Sequence, residues 1–310
     1  MKAAYIENYG DENTLMVGRQ PQPATSDTQV LIKVSGAGVN PLDWLVRDGF
    51  LKDSGMHTLP LTLGWDVSGE VVKVGKNVTN LALGDEVFAY TPINEQGCYA
   101  QYVAVDSNIV AQKPQSITLL TAAAVPLAAT TAWQGLVDGC KIKAGDRVLI
   151  HNAAGGVGSF AVQIAKELGA YVIGTASEAK AEYVKGLGVD EFIDYQQQDF
   201  EEAVTNVDAV FACVGGNNVV ERSLKVLRNN GRLISLLDDM DSSLTLEKNI
   251  FFQRWMVMPN AEHLTKIANL IDSEKLTVHV EKVFPLEEVK LAHMLSQSKR
   301  VTGKIILSLY

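Results

Sequence analysis

The sequence predicts an α/β chain in which a β-rich first third is followed by a doubly wound parallel sheet. Three observations carry this reading. The first 112 residues fall into short β-branched and aromatic runs separated by Gly, Pro, Asn and Asp. From about Leu120 strand-like and helix-like runs alternate. A knot of small residues, "HNAAGGVGS" at 151–159, follows directly on an apolar run. At 310 residues the chain has length for two domains with cores of their own.

The N-terminal runs "KAAYI", "VLIKVSG", "VSGEVVKVG", "DEVFAY" and "YAQYVAV" alternate apolar and polar residues, as half-buried strands of a small barrel or sandwich do, with Gly36, Gly38, Gly64, Gly69, Gly75 and Gly84 spaced like turns and bends. Residues 114–137 carry no charge. They do hold Gln115, Ser116, Thr118, Thr121, Thr130, Thr131 and Gln134, and polar groups of this kind oppose burial in lipid, so a buried helix breaking at Pro126 is expected. Six strand-like runs come next: "RVLIH", "AYVIGT", "EFIDY", "VDAVFACV", "GRLISLL" and "FFQRWMVM". Between the first two, "SFAVQIAKELG" sets Ala161, Ile164, Ala165 and Leu168 on one helical face, with Gly169 as the stop. Six strands with intervening helices specify a parallel, doubly wound sheet. After Pro259 two helical patterns lead to a last strand, "GKIILSLY", which has no local partner in the pattern and is expected to return to the N-terminal β domain. The expected domains are 1–120 completed by 259–310, and 121–258.

Composition narrows the function classes. The chain is 47% hydrophobic and 20% charged, with 36 acidic against 27 basic residues and a net charge of −9. No Lys/Arg stripe forms, so neither nucleic acid nor an anionic membrane is expected as partner, and a small molecule is. The N-terminus meets charge within a few residues and has no apolar core of a signal peptide, so the expected location is cytoplasmic. The cysteines, Cys98, Cys140 and Cys213, are far apart, and no histidine pair has metal-ligand spacing; neither a disulfide framework nor a metal is expected.

The small-residue knot reads Ala153-x-Gly155-x-x-Gly158. Two readings exist for such a spacing, a merely tight turn and a phosphate cradle. In the second, Gly155 lets the backbone approach a pyrophosphate and Gly158 lets the helix pack close to the sheet, while the free N–H groups of that helix face the phosphates. The strand before it, the amphipathic helix after it and the second strand "AYVIGT" favour the cradle. Nineteen residues beyond Gly158 stands Ser177, where an enzyme using NAD usually has an acid for the ribose 2′-hydroxyl. Serine leaves room for a 2′-phosphate, and Lys180 can neutralise it; the alternative for Lys180 is a solvated lysine at a helix start. Glu178 complicates the assignment and is expected to point outward.

Several ordered motifs extend over essentially the whole chain: "GVNPLDW" at 38–44, "LGWDVSGEVVKVG" at 63–75, "LGDEVFAY" at 83–90, "GCYAQYVAV" at 97–105, "PLAATTAWQGL" at 126–136, "HNAAGGVGSFAVQIAKELGA" at 151–170, "CVGG" at 213–216 and "TGKIIL" at 302–307. With these the sequence resembles the medium-chain dehydrogenase/reductase superfamily, within it the zinc-free branch similar to quinone oxidoreductases. The resemblance implies a GroES-like β-barrel catalytic domain and a six-stranded Rossmann cofactor domain. Zinc-dependent members have Cys at the place of Asn40 and Gly-His-Glu at the place of "GWD" (64–66), and a four-cysteine lobe that is missing here. It therefore implies metal-free hydride transfer from NADPH to a quinone or to the activated C=C bond of an enone. By position, Thr130, Ala154, Gly155, Gly156, Val157, Ser177, Lys180, Tyr195 and Val214 match cofactor contacts of the family, and Asn40 matches an asparagine beside the nicotinamide. Tyr195 matches a tyrosine that reaches the 2′-phosphate, or else it packs over a helix at its strand end. "RVTGK" at 300–304 matches a segment that folds back near the cofactor.

The proton donor is open at this level. Asp43 is the carboxylate in motif position, or else a tie for the N-P-x-D turn; Arg47 and solvent are the other candidates, Leu45 standing where many relatives have a basic residue. His151 reads as a structural histidine. Trp44, Phe50, Trp65, Trp133, Phe251, Phe252 and Trp255 either line a flat substrate slot or belong to the core. Two rival readings stand beside the reductase: a non-catalytic NADP-binding adaptor or structural protein, and an enoyl-thioester reductase. Relatives often dimerise through the last strand of the cofactor sheet, here "FFQRWMVM", which implies a homodimer.

Overall fold

The computed structural model describes residues 1–309 and divides into two compact units, Met1–Thr130 with Met258–Tyr310, and Thr131–Val257. The first unit opens with β1 (Lys2–Ile6), β2 (Met16–Arg19) and the eleven-residue β3 (Gln29–Val39), then helix α1 (Pro41–Arg47). Next come β4 (Leu61–Thr62), β5 (Asp66–Val74), β6 (Glu86–Tyr90), β7 (Tyr102–Asp106) and β8 (Ala111–Gln112), then α2 (Leu119–Ala122) and α3 (Pro126–Trp133), within which the chain passes to the second unit. The second unit contains β9 (Arg147–His151), α4 (Gly156–Glu167), β10 (Tyr171–Ala176), α5 (Ala181–Gly186), β11 (Glu191–Asp194), α6 (Phe200–Ala203), β12 (Val207–Ala212), α7 (Val219–Val226), β13 (Leu227–Ser235) and β14 (Phe251–Arg254). The chain then supplies α8 (Ala261–Asp272), β15 (Val280–Pro285), α9 (Val289–Gln297) and β16 (Lys304–Ser308) to the first unit.

In the first unit β2-β1-β4 form one small sheet, and the other strands run β15-β16-β3-β5-β6-β8 with β7 also on β3. β3 is long enough to pair with β5, β7 and β16 at once. Its "SGAGV" end has small residues because α2 crosses it. A Cβ on Gly38 would stand 2.5 Å from the Ala123 carbonyl oxygen and 2.7 Å from Asp66 Oδ2. Ala123 and Ala124 pack there with Ile306, Leu120 and Val280. This packing holds α2 in the first unit, so the chain changes units at Thr130/Thr131 and not at 120/121.

β16 returns to the N-terminal unit as expected, pairing antiparallel with β3 from Ile305↔Val39 to Ser308↔Gly36. It does have a nearby partner, contrary to the sequence pattern. β15 lies parallel to it, and "VEKVFP" escapes a search for alternation because its residues are mostly exposed. Pro126 opens α3 where a break inside one helix was expected; proline is tolerated at a first helical position because no intrahelical bond is lost there. The uncharged stretch then continues as a π-helical segment, Gln134–Cys140.

The second unit is a six-stranded sheet in the order β11-β10-β9-β12-β13-β14, every neighbouring pair parallel. The order reverses direction between β9 and β12, which is where such sheets open a crevice at the carboxyl ends of their strands. One face is packed by Leu149, Ile173, Val210 and Leu233 from the strands, with Phe200, Val220 and Val226 from α6 and α7. β14 is shorter than its apolar run, ending at Arg254. Among the described residues no helix is long and apolar enough to cross a membrane.

The close approach of α4 to β9 depends on Gly158, where a Cβ would stand 2.1 Å from the Asn152 carbonyl oxygen. That atom is backbone and cannot swing aside. Gly158→Ala is expected to cost about 1–3 kcal/mol in overpacking, read as a lower melting temperature together with weakened dinucleotide binding. A variant with wild-type stability and affinity would show that the turn has slack.

Candidate active site

Two groups of side chains carry the chemistry, one in each unit. In the second unit β9 ends at His151, and Asn152 takes a left-handed conformation with φ 54° to start the turn. The asparagine side chain fills the space beneath Gly155, whose Cβ would come within 2.5 Å of Asn152 Nδ2, and that amide also donates to the Cys213 carbonyl at 3.4 Å. Gly155 is the residue before α4 and offers no side chain to cap it, so the first N–H groups of the helix are left for an outside acceptor. Ala154 and Gly155 are buried, while Gly156 and Val157 are partly open. A turn that admits no Cβ and ends at an uncapped helix is chemically suited to a pyrophosphate.

Ser177 follows β10 and precedes a 3₁₀ turn, Glu178–Lys180. Tyr195 follows β11, the neighbouring strand, and its backbone N–H bonds to the Ala176 carbonyl. Ser177 and Tyr195 are therefore brought together at the carboxyl ends of adjacent strands, with Lys180 one turn on. Tyr195 is 60% exposed, against the reading that it packs over a helix. Glu178 is exposed, as expected. Val214 lies just past β12, packed against the sheet's core.

His151 is buried between Thr175 Oγ1 and Ser223 Oγ, each 3.2 Å away, and desolvation pushes its imidazole down to about 3, with the Arg222 charge adding to the effect. It stays neutral and ties β9 to β10 and α7. Burial pushes the thiols of Cys98 and Cys140 up to about 12, so neither is a nucleophile.

The group in the first unit forms where β3, β5 and β16 meet. Asn40 follows β3 and starts α1. Asp43, one turn into α1, accepts the Asn40 backbone N–H and the Tyr99 hydroxyl on the same oxygen, Oδ2, at 2.7 Å each. These are the bonds of a turn tie. Asp43 is fully buried and its other oxygen has no partner among the described residues. Desolvation pushes it up to about 7, against the lowering effect of the Tyr99 and Asn40 hydrogen bonds. The Asn40 side chain, left free by this arrangement, donates from Nδ2 to Asp66 Oδ2 at 2.9 Å and accepts from Lys304 Nζ. Lys304 also lies 3.4 Å from Asp66 Oδ2, and Asp66 Oδ1 accepts the Leu127 N–H at 2.6 Å. Burial raises Asp66 above the usual carboxylate range, opposed chiefly by the Lys304 charge. Among the described residues no three His, Cys, Asp or Glu side chains gather as a metal site.

Arg47, a candidate proton donor in the sequence, has a fully buried guanidinium held by the Gly10 carbonyl, Asp48, Gln297 and His293 Nδ1. With its donors taken up by these partners, Arg47 ties α1 to α9. The aromatic residues do not form one slot within either unit: Trp65 is core, Trp44 donates to Ser296 Oγ, and Phe251 sits under Arg232 at the sheet edge. Thr130 is buried, and its hydroxyl has no partner among the described residues. Sequence reasoning named Lys304 only within the segment 300–304, without a role of its own, and missed Tyr99 and Asn152 as site residues. The signal for Lys304 was a charge at the head of an otherwise apolar strand.

The chain matches a family model described as "Alcohol dehydrogenase GroES-like domain" over residues 26–115 and one described as "Zinc-binding dehydrogenase" over 187–307. It is 34% identical to the NADPH-dependent alkenal/one oxidoreductase, chloroplastic, of Arabidopsis thaliana, over 99% of this chain and 79% of that protein. The chain belongs to the medium-chain dehydrogenase/reductase superfamily. The fold agrees throughout: a quinone oxidoreductase structure from Coxiella burnetii superposes with a TM-score of 0.93 at 34% identity, covering 100% of this chain and 99% of that one. The Escherichia coli quinone oxidoreductase, solved with NADPH, gives 0.89 at 26% identity, covering 99% of this chain and 100% of the other. The first unit of this superfamily member is thus its GroES-like domain and the second its Rossmann domain.

Asp43 makes a pH test available. Because burial raises its folded-state value above the unfolded one, the folded protein holds that proton more tightly. The stabilising contribution is complete below about pH 4, and it is lost as pH rises through about 7. Asp43→Asn removes this dependence. In urea unfolding from pH 5 to 8, the wild type is expected to lose on the order of 1–4 kcal/mol relative to the variant. Parallel curves would mean that Asp43 is ionised throughout.

Proposed function

We propose that this protein is an NADPH-dependent oxidoreductase that delivers hydride to a quinone or to the activated C=C bond of an enone, without a metal. The observation that carries the proposal is the glycine turn at the carboxyl end of β9, opening onto the uncapped start of α4, with Ser177, Lys180 and Tyr195 gathered at the ends of the next two strands. The names of the relatives, an alkenal/one oxidoreductase and quinone oxidoreductases, agree with that chemistry.

When bound, NADPH supplies the hydride. Gly155 and the first N–H groups of α4 would hold its pyrophosphate, while Lys180 and the Tyr195 hydroxyl would serve the 2′-phosphate, for which Ser177 leaves room. Hydride addition brings two electrons to the substrate and leaves negative charge on its oxygen, and a solvent proton completes the reduction. The amide of Asn40 donates to that oxygen, in a desolvated setting where a preorganised donor acts most strongly. The metal-free reading is supported by Asp66, whose carboxylate is already matched by an ammonium. Three free cysteines fit a reducing compartment such as the cytoplasm. The open edge at β14, with exposed Phe251 and Met256, fits a homodimer formed by sheet extension.

Titration with NADPH and NADH side by side tests the cofactor assignment. Lys180→Ala is expected to weaken NADPH about tenfold, ~1.4 kcal/mol, and to leave NADH unchanged. Equal binding of the two in the wild type would overturn the 2′-phosphate site. Absorbance at 340 nm with a panel of small enones and quinones tests turnover, and dialysis against a chelator is expected to leave the rate intact. NADPH binding without turnover on any of them would return the protein to the adaptor reading.

A further inference from the structure

A carboxamide has two ends of the same shape, so its direction is decided by its partners. For Asn40 the choice is forced. Oδ1 accepts from Lys304 Nζ, and Nδ2 donates to Asp66 Oδ2 at 2.9 Å. Turned over, the NH₂ group would face an ammonium and the carbonyl a carboxylate oxygen, leaving two buried donors opposed and two acceptors opposed. Asp66 cannot rotate to relieve this, because its other oxygen is held by the Leu127 N–H at 2.6 Å.

Lys304 is itself placed by the strand pairing. It opens β16, whose register with β3 begins at Ile305↔Val39, and its Nζ also lies 3.4 Å from the Val39 carbonyl. A slip of one residue would turn the lysine to the opposite face of the sheet. The ammonium is 3% exposed as a residue and is surrounded by oxygens of Val39, Asn40 and Asp66. A cation on the amide oxygen also withdraws charge from the amide nitrogen. That strengthens the second Nδ2–H, the one that Asp66 does not use.

We propose that Lys304 is a positioning residue for the reduction: it fixes which end of the Asn40 amide is the donor and polarises that end for the oxygen that gains charge on the substrate. The inference rests on the reading of Asn40 as donor to that oxygen. It gives the C-terminal strand a function besides closing the sheet, since the lysine acts from 264 residues away in sequence. The same ammonium touches positions 40 and 66, two of the three at which the zinc-dependent members differ from this chain.

The test is a double-mutant cycle on kcat with NADPH and a small enone, using Asn40→Ala, Lys304→Met and the pair. Each single change is expected to lower kcat roughly 10–100-fold with KM changed much less, and the double variant to be no slower than the slower single one. Multiplying effects, or a Lys304→Met enzyme at wild-type rate, would overturn the proposal. Lys304→Met strands the Asp66 carboxylate, so Lys304→Met/Asp66→Asn is measured as well. It is expected to regain the wild-type melting temperature while kcat stays low; recovery of both would make the role of Lys304 one of stability alone. A readout independent of turnover is the side-chain amide pair of Asn40 in ¹H–¹⁵N spectra. It is expected to be slow to exchange and shifted downfield in the wild type, and to lose both properties in Lys304→Met. An unchanged pair in the variant overturns the proposal. If the wild type reduces no enone or quinone, the functional reading fails, whereas the amide signals still decide whether Lys304 holds Asn40.

Discussion

One buried cation sets the arrangement of the first unit. Lys304 enters an interior that already contains the carboxyl groups of Asp43 and Asp66, both removed from water. An unpaired charge in such a place is heavily penalised, so the lysine, Asp66 and the Asn40 amide must meet for any of them to be tolerated. Meeting requires β16 to lie in register on β3, β5 to run beside β3, and Gly38 to leave room for Asp66 where β3 passes. The discontinuity of this unit follows from the same constraint, because its ion pair joins residues 238 apart in sequence.

Asp43 belongs to this interior in a different way. Its bonds to Asn40 and Tyr99 hold the first turn of α1, and with one lysine for two buried carboxyls it is the one driven toward its neutral form. Arg47 and His293 then lock the far end of α1 to α9, the histidine kept neutral by burial beside the guanidinium. Asn40 thus has a rigid backbone below it and an oriented side chain above it. Preorganisation of that kind is what an oxyanion donor requires.

The Rossmann unit depends on absence of side chain. Gly155 and Gly158 bring backbone N–H groups to a helix start with no Cβ in the way, and Asn152 fills the space behind them. Here the chemistry is carried by main chain and by local order, which is why the turn was readable from nine residues. Ser177 and Tyr195, just past the ends of the next two strands, are placed nearly as locally.

The sequence by itself determined the fold class, a parallel, doubly wound sheet of six alternating strands, and the glycine turn. Each of these rests on periodicity, on spacing or on contacts between elements adjacent in the chain. It also placed His151 as structural. Tertiary structure alone decided what Asn40 does, because both ends of its amide are set by residues 26 and 264 positions away. Likewise it decided that Asp43 ties a turn, that Arg47 is an anchor, and that the last strand has a parallel neighbour in β15. A lysine at the head of a strand looks the same in sequence whether it is solvated or buried. What separates the two is a carboxylate brought to it by other strands, and no local pattern records that meeting.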